Sequence, residues 1–113
     1  MTNIDLNNKT FRSAKNANNG EVSDQTVFHY HQEGSMIWAE YYGGQILKGF
    51  LIGKVLDNRI DFTYQHLNQE LELMTGTCVS YPIVTVFDKI QLNEFWQWTC
   101  RDFSKGESII IEV

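Results

Sequence analysis

Residues 89–99 read KIQLNEFWQWT and residues 59–67 read RIDFTYQHL. In the first stretch Ile90, Leu92, Glu94, Trp96 and Trp98 share one parity, and Gln91, Asn93, Phe95, Gln97 and Thr99 share the other. In the second, Ile60, Phe62, Tyr64 and His66 alternate with Asp61, Thr63 and Gln65. Successive side chains of a strand point to opposite faces, so each stretch reads as a strand with one dry face and one wet face. Helical spacing at three and four fits both poorly. Residues 36–42, MIWAEYY, carry the same period, which puts Met36, Trp38, Glu40 and Tyr42 together on a face.

Outward from these stretches, apolar runs of strand length alternate with turn signals at Asn19-Gly20, Glu33-Gly34, Gly43-Gly44, Asp57-Asn58, Asn68-Gln69 and Lys105-Gly106. Glycine and short polar side chains allow the positive φ and local capping that tight turns need. The pattern predicts strands near 9–15, 25–33, 35–43, 46–56, 59–67, 71–81, 89–101 and 107–113. Pro82 cannot donate to a ladder and marks a strand end or an edge, although the IVTVF that follows is itself strand-like. Short connections join antiparallel neighbours, so an up-and-down meander follows. Closure removes its exposed edges. Gly49, Gly53 and Gly76 lie inside strands, where they permit bending or close approach. The expected fold is all-β: an antiparallel up-and-down meander of about eight strands forming a closed or nearly closed barrel of lipocalin-like or avidin-like architecture. The Gly-x-Trp start of lipocalins is missing. The alternative is an open sheet of stacked hairpins, as in MORN repeats, but Gly and Tyr show no clean period.

The 113 residues fit one domain over 9–113, after a polar, Asn-rich segment 1–8 expected to be disordered. A hydrophobic share of 42% supports a core, and the 7 Phe, 5 Tyr and 3 Trp suit strands and barrel interiors. The net charge of −5, with basic residues scattered, argues against nucleic acid as a partner. The N-terminal sequence lacks a secretory pattern, and no run reaches the roughly 18 apolar residues of a membrane helix. A cytoplasmic location is expected, with Cys78 and Cys100 reduced and buried.

Glu40, His66 and Glu94 are polar residues on otherwise apolar faces. If those faces line a barrel, the three meet inside it with Trp38, Tyr42, Tyr64, Trp96 and Trp98. A buried carboxylate must find hydrogen-bond partners or a cation, or take up a proton. Such a group is open to three readings: an internal polar network, a ligand pocket, or a general acid and base. The interior of a small eight-strand barrel can also be filled by side chains alone. His29 and His31 share a face opposite Phe28 and Tyr30; with no third ligand identifiable, they read as solvent-facing rather than metal-binding. No metal and no cofactor is expected. Walker, GxGxxG, GxSxG and HExxH motifs are absent, and GFLIG at 49–53 reads as an in-strand bend.

GEVS (20–23), FHYHQEG (28–34), the glycine pair 43–44, GFLIG (49–53), YQH (64–66), EFWQW (94–98) and GES (106–108) resemble a small bacterial family of similar length whose members often carry the label N-acetylglutamate synthase. The similarity covers the chain from Phe11. It implies an acyltransferase activity and assigns no catalytic residue. The acetyl-CoA loop Q/R-x-x-G-x-G/A of common acetyltransferases does not occur here.

Three functions follow from these residues. The first is a non-enzymatic binding barrel for a small apolar or amphipathic ligand, held by Trp38, Glu40, Tyr42, Tyr64, His66, Glu94, Trp96 and Trp98. The second is an enzyme, either the implied acyltransferase or an acid/base catalyst built on Glu40, His66 and Glu94. The third is an interaction protein, a homodimer through an exposed strand edge or aromatic patch.

Overall fold

The computed structural model describes residues 4–113. Eight strands follow one another: β1 Lys9–Lys15, β2 Val27–Glu33, β3 Met36–Gly43, β4 Ile46–Leu56, β5 Arg59–Asn68, β6 Leu73–Val84, β7 Ile90–Trp98 and β8 Lys105–Glu112. Each pairs antiparallel with the next, and β1 pairs back onto β8, with Phe11 opposite Glu112 and Ser13 opposite Ile110. The barrel is therefore closed, as the alternation and the short turns predict. No helix occurs among the described residues, so none is long and apolar enough to cross a membrane.

β6 continues past Pro82 to Val84. Its pairing with β5 stops at Ser80, while its pairing with β7 runs on to Val84 opposite Ile90. The proline thus sits on a one-sided stretch, where a missing donor is tolerated. Val86 and Phe87 in the following turn are exposed.

The core fills from the inward parity of every strand: Phe11, Phe28, Tyr30, Ile37, Leu51, Ile60, Cys78, Leu92 and Ile110. In-strand glycines make room for large rings. A Cβ on Gly76 would lie 2.2 Å from the Tyr64 ring, and one on Gly106 would lie 2.2 Å from the Trp96 ring.

Two expectations are corrected here. Residues 4–8 are not a frayed tail: Leu6 is fully buried, its N–H donates to Gln32 Oε1 at 2.9 Å, and the Asn8 N–H donates to Tyr30 O at 2.9 Å. Because β1 leads away from this segment, Leu6 closes the barrel end opposite the 16–26 loop. Residues 1–3 of the expected tail lie outside the described residues. The second correction concerns β3. Its inward residues are Ile37, Ala39 and Tyr41, and Met36, Trp38, Glu40 and Tyr42 point outward. Residues directly opposite across an antiparallel pair share a face. Ala39 stands opposite inward Tyr30 on one side and Leu51 on the other, which fixes its parity. β3 carries aromatics on both parities, so hydrophobicity alone does not decide between them.

Candidate functional site

One end of the barrel narrows into a cavity of about 50 Å³. Five of the eight expected site residues line it: Tyr64 and His66 from β5, and Glu94, Trp96 and Trp98 from β7. Alternation on these two strands is regular, and both bury the expected parity. The rings pack edge to face: Trp96 with Trp98 at 5.5 Å between centroids, and Tyr64 with Trp98 at 5.9 Å.

Trp38, Glu40 and Tyr42 are elsewhere. On the outer surface His31 Nε2 lies 3.0 Å from Glu40 Oε1, His31 stacks on Trp38, and His29 Nε2 meets the Tyr42 hydroxyl at 3.0 Å. Glu40 therefore cannot join His66 and Glu94, and the three-residue acid/base site does not form. His29 and His31 face outward as expected, and among the described residues no cluster of His, Cys, Asp and Glu suits a metal.

The cavity also holds residues that the sequence pattern does not single out. Tyr41 follows from the corrected face of β3. Its hydroxyl meets His66 Nδ1 at 3.0 Å. On the other ring nitrogen, His66 Nε2 lies 2.7 Å from Glu21 Oε1, a residue of the β1–β2 loop. The carboxylate accepts from Nε2–H, so Nδ1 accepts from the tyrosine O–H, and a neutral imidazole is fully satisfied. Burial lowers the His66 pKa, and the hydrogen bond and charge of Glu21 oppose that shift without reversing it. Nothing in GEVS marks Glu21, because the contact depends on how a long loop folds back.

Below the rings the lining turns polar. Glu94 stands opposite Ser80 on β6 and Ser108 on β8. Ser108 Oγ lies 3.5 Å from Glu94 Oε1, while Glu94 Oε2, Ser80 Oγ and the Tyr30 hydroxyl are buried with no hydrogen-bond partner among the described residues. Burial pushes the Glu94 carboxyl up to about 8, against the opposing pull of the Ser108 hydroxyl. At neutral pH it is mostly protonated and can donate as well as accept. Among the described residues no Lys or Arg lines the cavity. Cys78 and Cys100 are free thiols, one buried and one half-buried, and burial raises the pKa of Cys78, so it is a poor nucleophile.

Comparison with known proteins gives two positive findings. The model of the family described as Avidin-like protein matches residues 4–113. Among solved structures, apo shwanavidin superposes with a TM-score of 0.68 at 12% sequence identity, covering 100% of both chains, a likeness of fold alone. No curated protein matches the chain. The resemblance to the family labelled N-acetylglutamate synthase is thereby corrected. A match spanning the described barrel replaces it, and with it goes the implied acyltransferase.

Proposed function

The chain belongs to the Avidin-like protein family, and on that premise we propose that its barrel binds one small, slim, largely apolar molecule without transforming it. The observation that carries this reading is the buried, unpaired Glu94 Oε2 in a cavity that Tyr64, Trp96 and Trp98 also line; the unpaired hydroxyls of Tyr30 and Ser80 are buried outside that lining. Unpaired polar groups in a dry interior cost free energy, and a ligand that pairs them recovers it. A protonated carboxyl beside the Ser108 hydroxyl, with no Lys or Arg of the described residues in the lining, favours a neutral head that both donates and accepts, such as an amide, a urea or an alcohol. The cavity of about 50 Å³ is well below the roughly 300–1,000 Å³ of ordinary ligand pockets. The occupant is narrow, or the mouth opens to admit it.

Native mass spectrometry of protein purified from its own host tests the reading directly. A stoichiometric small-molecule adduct that dissociates unchanged is expected. Ligand-observed NMR against matched neutral and anionic fragments tests the head group. A bare protein mass, together with no neutral fragment binding in the barrel, would refute the proposal.

A second reading concerns assembly. Trp38, Phe50 and Ile52 stand side by side on the outer face of β3 and β4, with Phe50 49% and Ile52 58% exposed. This apolar row supports a homodimer through that face. Sedimentation velocity should give twice the chain mass for the natural sequence and a single chain for Phe50→Lys. The free thiols support a cytoplasmic location, which fractionation of the host would check.

A further inference from the structure

The β6–β7 hairpin outgrows the barrel. β6 starts at the mouth, where Leu73 stands opposite Leu67, and runs to the far end, the one that Leu6 closes. β5 accompanies it only as far as Ser80, and β8 reaches β7 only at Gln91. The last pair, Val84 and Ile90, holds the loop 85–89 beyond both neighbouring strands. That loop carries the two most exposed large apolar side chains of the described residues, Val86 at 95% and Phe87 at 82%. Behind them Tyr81 and Ile83 lie on one face of the ribbon and Val84 on the other, each exposed. The projecting part is thus apolar on both faces and at its tip.

The backbone of the loop suits an apolar phase. Thr85 N–H donates to Lys89 O at 2.8 Å, and Asp88 N–H donates to Thr85 O at 3.0 Å. Thr85 Oγ1 accepts the N–H groups of Phe87 and Lys89, each at 3.3 Å. Four of the five N–H groups of residues 85–89 are therefore paired inside the loop, which is what burial in lipid demands. Further back, the edge of 81–84 that faces away from β7 has no partner strand. Open backbone groups stay in water or among headgroups, so insertion ends there. Tyr81 stands at that level, where an aromatic ring with a polar hydroxyl fits a membrane–water boundary.

Three occupants compete for this tip. A second copy adding a strand to the free edge meets Pro82, and a proline on an edge opposes strand addition. A groove on a folded protein covers one face of a ribbon and leaves the other wet. A lipid surface surrounds the tip on every side. Charge then selects the lipid. Lys89 is the only Lys or Arg between Ile60 and Cys100, and Asp88 beside it cancels its charge. Attraction to anionic lipid needs a cluster of basic residues, and the chain as a whole carries −5.

We propose that the β6–β7 hairpin tip is a membrane-docking element: Val86 and Phe87 enter the headgroup boundary of an electrically neutral, zwitterionic lipid surface, and the barrel mouth at the opposite end stays open to water. Two side chains give reversible attachment only. Docking does not depend on the binding reading above, because the tip lies at the other end of the barrel from the cavity.

Co-sedimentation of the full chain with phosphatidylcholine vesicles tests the proposal. The natural chain should bind equally at about 0.05 and 0.5 M NaCl, and no more tightly when about a third of the lipid is phosphatidylserine. Val86→Asp and Phe87→Asp should each weaken binding about tenfold or more, with the melting temperature unchanged because both side chains are exposed. Phe103→Asp, in the exposed β7–β8 loop at the mouth, should bind as the natural chain does. Phe87→Trp should add fluorescence that shifts to the blue on vesicles and is quenched by brominated lipid. No binding at millimolar phosphatidylcholine overturns the proposal. So does binding that requires phosphatidylserine, disappears with salt, or falls equally in Phe103→Asp. A lower mass for Phe87→Asp than for the natural chain in lipid-free sedimentation velocity would assign the tip to a second copy and overturn it too.

Discussion

Glu94 is the residue at which charge, burial and stability meet most directly. Its carboxyl moves from an ordinary value of 4.5 to about 8, chiefly because burial disfavours the anion. The folded state therefore keeps a proton that the unfolded chain loses. Stability is whole below about 4.5 and falls as pH rises towards 8. His66 works in the opposite sense below its ordinary 6.5, since burial lowers its pKa and acid then favours the unfolded chain. Between 6.5 and 8 the unfolded imidazole sheds only its last half-proton, and the slope belongs chiefly to Glu94. Over that window urea unfolding should show a loss of about 2 kcal/mol. Glu94→Gln carries no proton to lose and should flatten the slope; an equal slope in the variant would show that the carboxyl is not what titrates. Gly76 makes a steric prediction of the same local kind. Gly76→Ala places a methyl 2.2 Å from the Tyr64 ring, and overpacking of this sort costs about 1–3 kcal/mol. Calorimetric melting of the variant checks it.

Among the strands, β3 shows what the residue pattern could and could not decide. MIWAEYY has large apolar groups on both parities, so alternation defines two faces without saying which is dry. Turn arithmetic would have resolved it. The two-residue turn Gly34-Ser35 pairs Glu33 with Met36, hence His31 with Trp38 and His29 with Glu40. Facing residues share a side, so outward histidines carry Trp38 and Glu40 outward with them. β5 and β7 were legible because one parity of each is plainly polar. The consequence for energetics is a contrast between two indoles. Trp96→Ala removes a ring packed over Gly106 and against Trp98 and should cost about 3–5 kcal/mol. Trp38→Ala removes a half-exposed ring from the outer face and should cost about 1 kcal/mol or less in a single chain. Urea midpoints of the two variants would reverse in order if the assignment of faces were wrong.

For the molecule as a whole, the number and order of strands followed from two-residue alternation and short connections, and closure followed from the need to pair the outer edges. The β1–β2 loop and residues 4–8 were not legible, because both contribute through contacts distant in sequence that carry no period. Those two segments close the two ends of the barrel. At one end Glu21 and Asn19 tie the loop across the mouth. At the other Leu6 enters the core with Ile37, Ile60, Leu92 and Ile110. A barrel interior is kept dry only if both ends exclude water, and the raised carboxyl of Glu94 depends on that dryness. Leu6→Ala should therefore have two coupled effects. It should cost about 2–5 kcal/mol, as truncation of a buried leucine does. It should also admit water at the floor and bring the Glu94 carboxyl back towards the ordinary carboxylate range, read as a ¹³C carboxyl titration by NMR. If stability falls while the Glu94 midpoint stays near 8, Leu6 packs the floor without sealing it, and the dryness of the polar layer is set by the mouth alone.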